Sequence, residues 1–368
     1  MKVRGFRRRL KLAIIPSIAT DVKSRSASSP HKATDVRLGR IVRLLMSHAT
    51  VVVSGTKIAE EIGTSRSEVW RLIQQLRSLG VDVAGHPATG YQLRAIPDLL
   101  LPEMLVPSLK GTIFGPCPAG VSGAAKQIHH YYKVGSTNTE AMQCAAQGAP
   151  EGSVFLAEEQ LGGRGRGAHN WHSARSTGIY CSVILRPAMP PSDALIFSLA
   201  AGLAVRAAVA EIAPELLADL KWPNDLLLRG KKFCGILIEM NAEATRVRYL
   251  VVGVGINVNQ LKFPPELRDL ATSLRIETGS EWSRVELSVA LLKSLDREYR
   301  NLVDDPAARK TIIRRFEESS SSVRGQPVTV EENGGLTGVT EGLDERGFLR
   351  VRTPAGLRTV VSGTVRPT

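Results

Sequence analysis

Apolar residues recur at helical spacing in the first third of the chain. Ile41, Leu44 and Leu45 form one stripe after about Asp35. Ile58, Ala59 and Ile62 follow Ser54, and Val69, Leu72, Ile73 and Leu76 follow Thr64 and Ser65. Ser54, Thr64 and Ser65 are N-cap residue types, because a hydroxyl ahead of the first turn can accept an otherwise unpaired amide. Gly63 separates the second run from the third. Three helices so punctuated predict a helix-turn-helix. After Gly80 the residues Val81-Asp82-Val83, a turn over Gly85 to Gly90, and Tyr91-Gln92-Leu93 predict a two-stranded wing.

From Pro97 to about Gly123 prolines and glycines surround a short apolar segment, Leu99 to Leu105, which is the composition of an interdomain connection. Apolar strands then alternate with helical stretches. Val154 to Ala157, Ile179 to Leu185, Phe233 to Glu239 and Tyr249 to Val258 are the strands; Thr139 to Gln147 and Leu195 to Ile212 are the helices. This order predicts an α+β sheet with helices on one face. Short β runs close the chain: Pro327 to Val330, Gly338 to Glu341, Phe348 to Thr353 and Leu357 to Val361.

A length of 368 residues calls for two or three domains, and 43% hydrophobic with 23% charged residues excludes a chain disordered throughout. Nine lysines or arginines against Asp21 alone place +8 of the formal +13 in residues 1–33, leaving +5 for the rest. The charge is thus concentrated in a basic tail, 1–33, whose apolar run is broken by Pro16. It lacks the clean apolar centre of a signal peptide and reads as a solvated extension. No other segment is expected to be long and apolar enough to span a membrane. Cys117, Cys144, Cys181 and Cys234 are scattered, which fits free thiols in a reducing, cytoplasmic compartment. His169 and His172 have no cysteine or carboxylate cluster nearby, so no metal site is expected.

The chemistry concentrates in a few short stretches. Gln160-Leu161-Gly162-Gly163-Arg164-Gly165-Arg166-Gly167-Ala168-His169-Asn170-Trp171 combines close-approach glycines, guanidinium forks and a flat aromatic face. It suits either a loop closing over an anionic, nucleotide-like ligand or a flexible basic linker. Ser136-Thr137-Asn138 opens a helix and can cap it or face a polar ligand. In Lys221-Trp222-Pro223-Asn224-Asp225, Pro223 ends a strand and Asn224-Asp225 is turn chemistry. Lys221 remains as a cation able to neutralise a carboxylate and an α-phosphate as they approach, while Asp225 orients the turn. Gly235 to Glu239 is a strand permitting close approach or a plain core strand. Asn257, in Gly253 to Asn259, can pair with adenine or cap local backbone. On the third helix Ser65, Arg66, Ser67, Trp70 and Arg71 are candidates for DNA contact, with packing or dimer contact as the alternative use of the winged helix.

In order and at similar intervals, this set resembles the biotin protein ligase family, specifically its bifunctional members that also repress transcription. The resemblance covers nearly the whole chain after the tail. It implies a multidomain α+β protein: a winged helix-turn-helix over 34–97, a linker over 98–123, a central mixed-sheet α+β ligase domain over 124–318 and a C-terminal SH3-like β-barrel over 323–368. It further implies synthesis of biotinyl-5′-adenylate from biotin and ATP, with Mg2+ on the triphosphate, and transfer of biotin to a lysine of a carboxylase carrier domain. By this resemblance Ser136, Thr137, Asn138, Gln160, Gly163, Arg164, Gly165, Arg166 and Lys221 line the biotin site, with Lys221 and Arg166 as the catalytic cations. Trp171 and Asn257 meet the nucleotide. Operator DNA and a homodimer formed by the adenylate-bound protein are the implied partners, with no membrane. A lipoate or octanoate ligase and a non-catalytic ligand-sensing DNA-binding protein are the competing identities. Gly167-Ala168-His169 departs from the family pattern, in which further arginines are common. That departure implies looser retention of the adenylate, or compensation by protonated His169.

Overall fold

The computed structural model describes residues 30–368 apart from 96, 117–127 and 332–334. Most of the expected tail (1–29), the end of the expected linker (117–123), Cys117 and the start of the central domain at 124 lie outside the described residues. The first helix, α1 (Pro30–Ser47), begins inside the stretch expected to be tail.

Helices α2 (Gly55–Ile62) and α3 (Arg66–Ser78) follow, then the hairpin β1 (Val83–His86) and β2 (Gly90–Leu93). Ser54 Oγ accepts from Lys57 N at 3.1 Å and Ser65 Oγ from Glu68 N at 3.2 Å, so both serines cap as their position requires. Ile41, Leu45, Ile58, Ile62, Val69, Leu72, Ile73 and Leu76 share one core. Gly90 closes the wing at φ +142°, where a Cβ would stand 2.1 Å from Val53 O, so no larger residue fits there.

The connection is not a loose linker. Along Leu99-Leu100-Leu101 the side chains alternate: Leu99 and Leu101 enter the winged-helix core, while Leu100 enters the core under the central sheet. The short α4 (Pro102–Leu105) and the turn after it add Leu105, Leu109 and Phe114 to that second core. Burial of these apolar groups fixes the connection to both bodies.

The central sheet contains β3 (Ile128–Tyr131), β4 (Val154–Ala157), β5 (Gly178–Leu185), β6 (Asp219–Lys221), β7 (Asp225–Leu228), β8 (Lys231–Ala242) and β9 (Val247–Asn257), with α5 (Thr137–Ala146) and α6 (Leu195–Ile212) inserted between strands. Its order is β3-β4-β5-β9-β8-β7-β6, with β3 and β4 parallel and the other pairs antiparallel. The expectation of helices on one face is corrected. Ala141 and Ala145 of α5 pack with Phe155, Tyr180 and Val251, whereas α6 and α8 (Arg284–Asp304), α9 (Ala308–Glu318) and the short α7 (Leu274–Thr278) bury residues against Leu156, Cys181 and Val252 on the opposite face. Strand residues of alternating parity supply these two faces. The expectation that no segment is long and apolar enough for a membrane is also corrected: α6 with the turn before it meets both criteria. Twelve of the eighteen residues of α6 are buried between sheet and helices, which accounts for a helix apolar on every side.

The chain ends in β10 (Arg324–Glu331), β11 (Leu336–Leu343), β12 (Leu349–Thr353), β13 (Gly356–Val360) and β14 (Thr364–Pro367). They form an antiparallel sheet ordered β13-β12-β11-β10-β14, bent by register shifts at 324/327 and 340/343. This is the small β domain of the multidomain α+β fold; β14 had no counterpart among the β runs evident in the sequence. Trp222 Nε1 donates to Gly347 O at 2.9 Å and joins it to the central domain.

Candidate active site

One row of directly opposed residues crosses the central sheet: Lys221 and Asp225, Asp225 and Gly235, Gly235 and Gly255, Gly255 and Tyr180. Opposed residues project from the same face, so Lys221 and Asp225 stand beside a surface floored by glycine. Leu237, Gly253 and Ser182 form a second row on this face, and Glu239 follows two residues after Leu237. The start of α5 and the loop 160–171 cover it. A Cβ at Gly253 would fall 2.0 Å from Asn138 Oδ1, at Gly235 2.8 Å from Trp171 Cζ3, and at Gly255 2.6 Å from Trp171 Nε1. Close approach, rather than a plain core strand, is what these glycines permit.

A buried polar network stands over the second row. Thr137 N and Oγ1 both donate to Gln160 Oε1, at 2.9 and 3.1 Å, and Gln160 Nε2 donates to Ser173 Oγ at 3.0 Å. Ser182 Oγ lies 2.8 Å from Thr137 Oγ1 and 2.6 Å from Asn138 Oδ1. Asn138 Nδ2 donates to Glu239 Oε2 at 3.0 Å, and Arg164 Nη2 donates to Glu239 Oε1 at 2.7 Å. Ser136, Thr137 and Asn138 are all buried. Ser136 occupies the N-cap position of α5, but its hydroxyl makes no cap hydrogen bond.

The loop is a folded turn and not a flexible linker. Leu161 N and Gly162 N donate to Val134 O and Gly135 O at 2.9 and 2.8 Å; Gly165 N donates to His169 O at 2.7 Å and Trp171 N to Gly163 O at 2.8 Å. Arg166 Nη1 donates to Asn224 Oδ1 at 3.4 Å and its Nη2 to Gly363 O at 3.2 Å, so the loop reaches both the Lys221–Asp225 turn and the C-terminal β domain. Trp171 lies against Gly235 and Gly255. Lys232 Nζ stands 5.4 Å from its ring centroid and 2.7 Å from Asp225 Oδ1. The buried Trp171 Nε1 has no hydrogen-bond partner among the described residues.

Not every candidate reaches this surface with a group to spare. Asn257 shares the face of Gly253 and Gly255, but it is buried, its Nδ2 donates to Thr272 O at 3.0 Å and its Oδ1 accepts from Gln260 Nε2 at 3.3 Å. Local capping is thus the use its amide has here. His172 meets Phe263 edge-on, with ring centroids 6.4 Å apart. Cys181 and Cys234 are buried thiols, and burial pushes Cys181 up to about 12, far from a reactive thiolate. Glu239, Ser182, Ser173 and Lys232 were not singled out in the sequence. For Glu239 the signal was present, since the period of two carries it to the face of Gly235.

On α3, Val69, Leu72, Ile73 and Leu76 face the core while Trp70 is 58% exposed. Ser65 Oγ is committed to its cap and lies 2.9 Å from Ser67 Oγ. Arg71 is held by Glu68 through Nε and Nη2 at 2.8 and 2.6 Å.

The profile of the Biotin/lipoate A/B protein ligase family matches residues 132–257, that of an HTH domain 37–92, and that of the biotin protein ligase C-terminal domain 324–365. The bifunctional ligase/repressor BirA of Bacillus spizizenii is 34% identical over 88% of this chain and 97% of its own length. The biotin--[acetyl-CoA-carboxylase] ligase of Mycobacterium tuberculosis is 35% identical over 66% of this chain and 88% of its own. Among solved structures, a biotin protein ligase from Aquifex aeolicus in complex with biotin and ATP superposes with a TM-score of 0.58 at 29% identity, covering 66% of this chain and all of that one.

Proposed function

The chain belongs to the biotin protein ligase family, and from that premise we propose that it forms biotinyl-5′-AMP from biotin and ATP, transfers biotin to a lysine of a carboxylase carrier domain, and represses transcription through its winged helix. The observation that carries this is the single face on which Lys221, the glycine floor, Trp171 and the Thr137–Gln160–Asn138 network meet.

In the first step a biotin carboxylate oxygen attacks the α-phosphorus and pyrophosphate leaves. Two anions must approach, so preplaced positive charge lowers the barrier where charge builds up. Lys221 at the end of β6 and Arg166 beside Asn224 supply it. Thr137, Asn138, Gln160 and Arg164, with Gly163 and Gly165 permitting close backbone approach, hold biotin; Trp171 carries the nucleotide base. Asp225 and Glu239 are already paired with Lys232 and Arg164, so Mg2+ fits as an ion held by the phosphates, whose charge it neutralises. In the second step the carrier amine attacks the acyl carbonyl and AMP leaves; the chain supplies no nucleophile.

The domain boundaries follow the same reading: winged helix to residue 97, packed connection, central domain to 318 and β domain from 323. Adenylate binding promotes a homodimer that sets two winged helices on two operator half-sites, with Ser65, Arg66, Ser67, Trp70 and Arg71, all exposed, the candidates for contact. The decisive experiment is biotin-dependent ATP–pyrophosphate exchange with wild type and Lys221→Ala, followed by mass measurement of a carrier domain incubated with ATP and biotin or lipoate. Exchange absent from wild type, or lipoate transferred in preference, overturns the ligase assignment. A gel shift with the upstream region of biotin genes that shows no binding in the presence of biotin and ATP overturns the repressor assignment.

A further inference from the structure

Lys232 belongs to none of the motifs that mark the site, yet its side chain reaches into it. From the start of β8 its Nζ lies 3.3 Å from the position a Gly235 Cβ would occupy, 2.7 Å from Asp225 Oδ1 and 5.4 Å from the Trp171 ring centroid. Asp225 is also the directly opposed neighbour of Lys221. Two lysines therefore neighbour one carboxylate, Lys232 through its ammonium and Lys221 through the strand register, beside the aromatic face assigned to the base. The Lys232 side chain remains 34% exposed, so an incoming anion can reach it. Its backbone is fixed as well, since Lys232 N donates to Leu270 O and Thr272 N donates to Lys232 O, both at 2.9 Å. A cation anchored at its base and already oriented by a carboxylate loses little freedom when it binds a phosphate.

We propose that Lys232 is a further phosphate-binding cation of the site, contacting the phosphate chain of the nucleotide while Lys221 and Arg166 serve the reacting carboxylate and α-phosphate. The proposal rests on the ligase reading for the identity of the nucleotide. Trp171 places the base, Lys232 reaches from the same ring toward Asp225, and the phosphates run along that line toward Lys221. A purely structural Lys232 would instead serve only to hold Asp225 and Trp171 in place.

The test uses the full chain carrying Lys232→Met or Lys232→Arg. Calorimetry measures binding of MgATP, inorganic pyrophosphate and biotin separately, and exchange gives the KM for ATP. Loss of a charge-assisted contact predicts that Lys232→Met weakens pyrophosphate binding and raises the KM for ATP by about tenfold or more, with biotin affinity within about twofold of wild type. Lys232→Arg recovers most of the loss. Unchanged ATP and pyrophosphate affinities in Lys232→Met overturn the proposal, as do losses of biotin affinity and melting temperature as large as the loss for ATP. A wild type that binds pyrophosphate through Lys232 but shows no biotin-dependent exchange would sink the ligase reading and leave the cation site standing.

Discussion

Arg284 and Glu158 form an ion pair of 2.7 Å with side chains 1% and 0% exposed, at the seam where connection, sheet and α8 meet. Glu158 Oε1 also accepts from Leu100 N at 2.9 Å and lies 3.0 Å from His130 Nε2, while Arg284 Nε donates to Asp98 Oδ2 at 2.9 Å. Two residues after Glu158 stands Gln160, the acceptor for Thr137. One buried charge thus ties the winged-helix connection to the strand that leads into the active site.

Removing one member of such a pair leaves the other buried and uncompensated, at a cost of about 3 to 5 kcal/mol. Arg284→Met is therefore expected to destabilise the full chain by about that amount. The double variant Arg284→Met with Glu158→Leu should lose less than the sum of the single variants, because neither charge is then stranded. Urea melts of the four proteins measure the coupling, and strictly additive losses would contradict it.

The same carboxylate sets a pH dependence. Burial alone would raise the Glu158 pKa, but the Arg284 guanidinium, the His130 contact and the Leu100 amide reverse this and hold it at about 2. A carboxyl depressed in the fold stabilises it fully above its unfolded value, about 4.3, and ever less as pH falls toward the folded value. Stability should decline between roughly pH 5 and pH 2 more steeply in wild type than in the Glu158→Gln variant. Parallel slopes in acid melts of the two would remove Glu158 as the cause.

The helices and caps of the winged helix were legible because their signals are local: apolar spacing with Ser54 and Ser65 one turn before the groups they cap. The glycine floor was half legible, since Gly235, Gly253 and Gly255 are conspicuous in apolar strands while the side chains that approach them are not. The contact of Asn138 with Glu239 spans 101 residues and that of Glu158 with Arg284 spans 126, and no periodicity reports such pairings. The packed connection was missed because proline and glycine masked the alternation of Leu99, Leu100 and Leu101 between two cores. Helices on both faces of the sheet were missed because periodicity shows that a face is buried, not which helix covers it.

Two glycines on β9 should separate the halves of the site. A methyl group at Gly253 would collide with Asn138 Oδ1 at 2.0 Å, and one at Gly255 with Trp171 Nε1 at 2.6 Å. Gly253→Ala is expected to weaken biotin binding with the larger share of the effect, and Gly255→Ala to raise the KM for ATP, each by about tenfold or more if the displaced residue loses its contact. Calorimetry with biotin and exchange kinetics in ATP distinguish them. Equal effects of both substitutions on both ligands would show that the two halves are not separable in this way.

The loop departs from the family pattern at Gly167-Ala168-His169. Gly167 sits at φ +65°, a left-handed conformation that an arginine would adopt only under strain, so charge is not readily restored there. His169 has extended backbone at φ −68° and ψ 147°, is exposed, and its carbonyl accepts the Gly165 N–H that closes the turn. Any L side chain can take that conformation without disturbing the bond. His169→Arg should therefore add a guanidinium to the rim of the site at no backbone cost. A charge-assisted hydrogen bond contributes about 1.5 to 3 kcal/mol, so dissociation of biotinyl-adenylate should slow by about tenfold or more. Off-rates measured for wild type and His169→Arg decide the matter, and an identical rate in the two would mean that residue 169 does not face the bound intermediate.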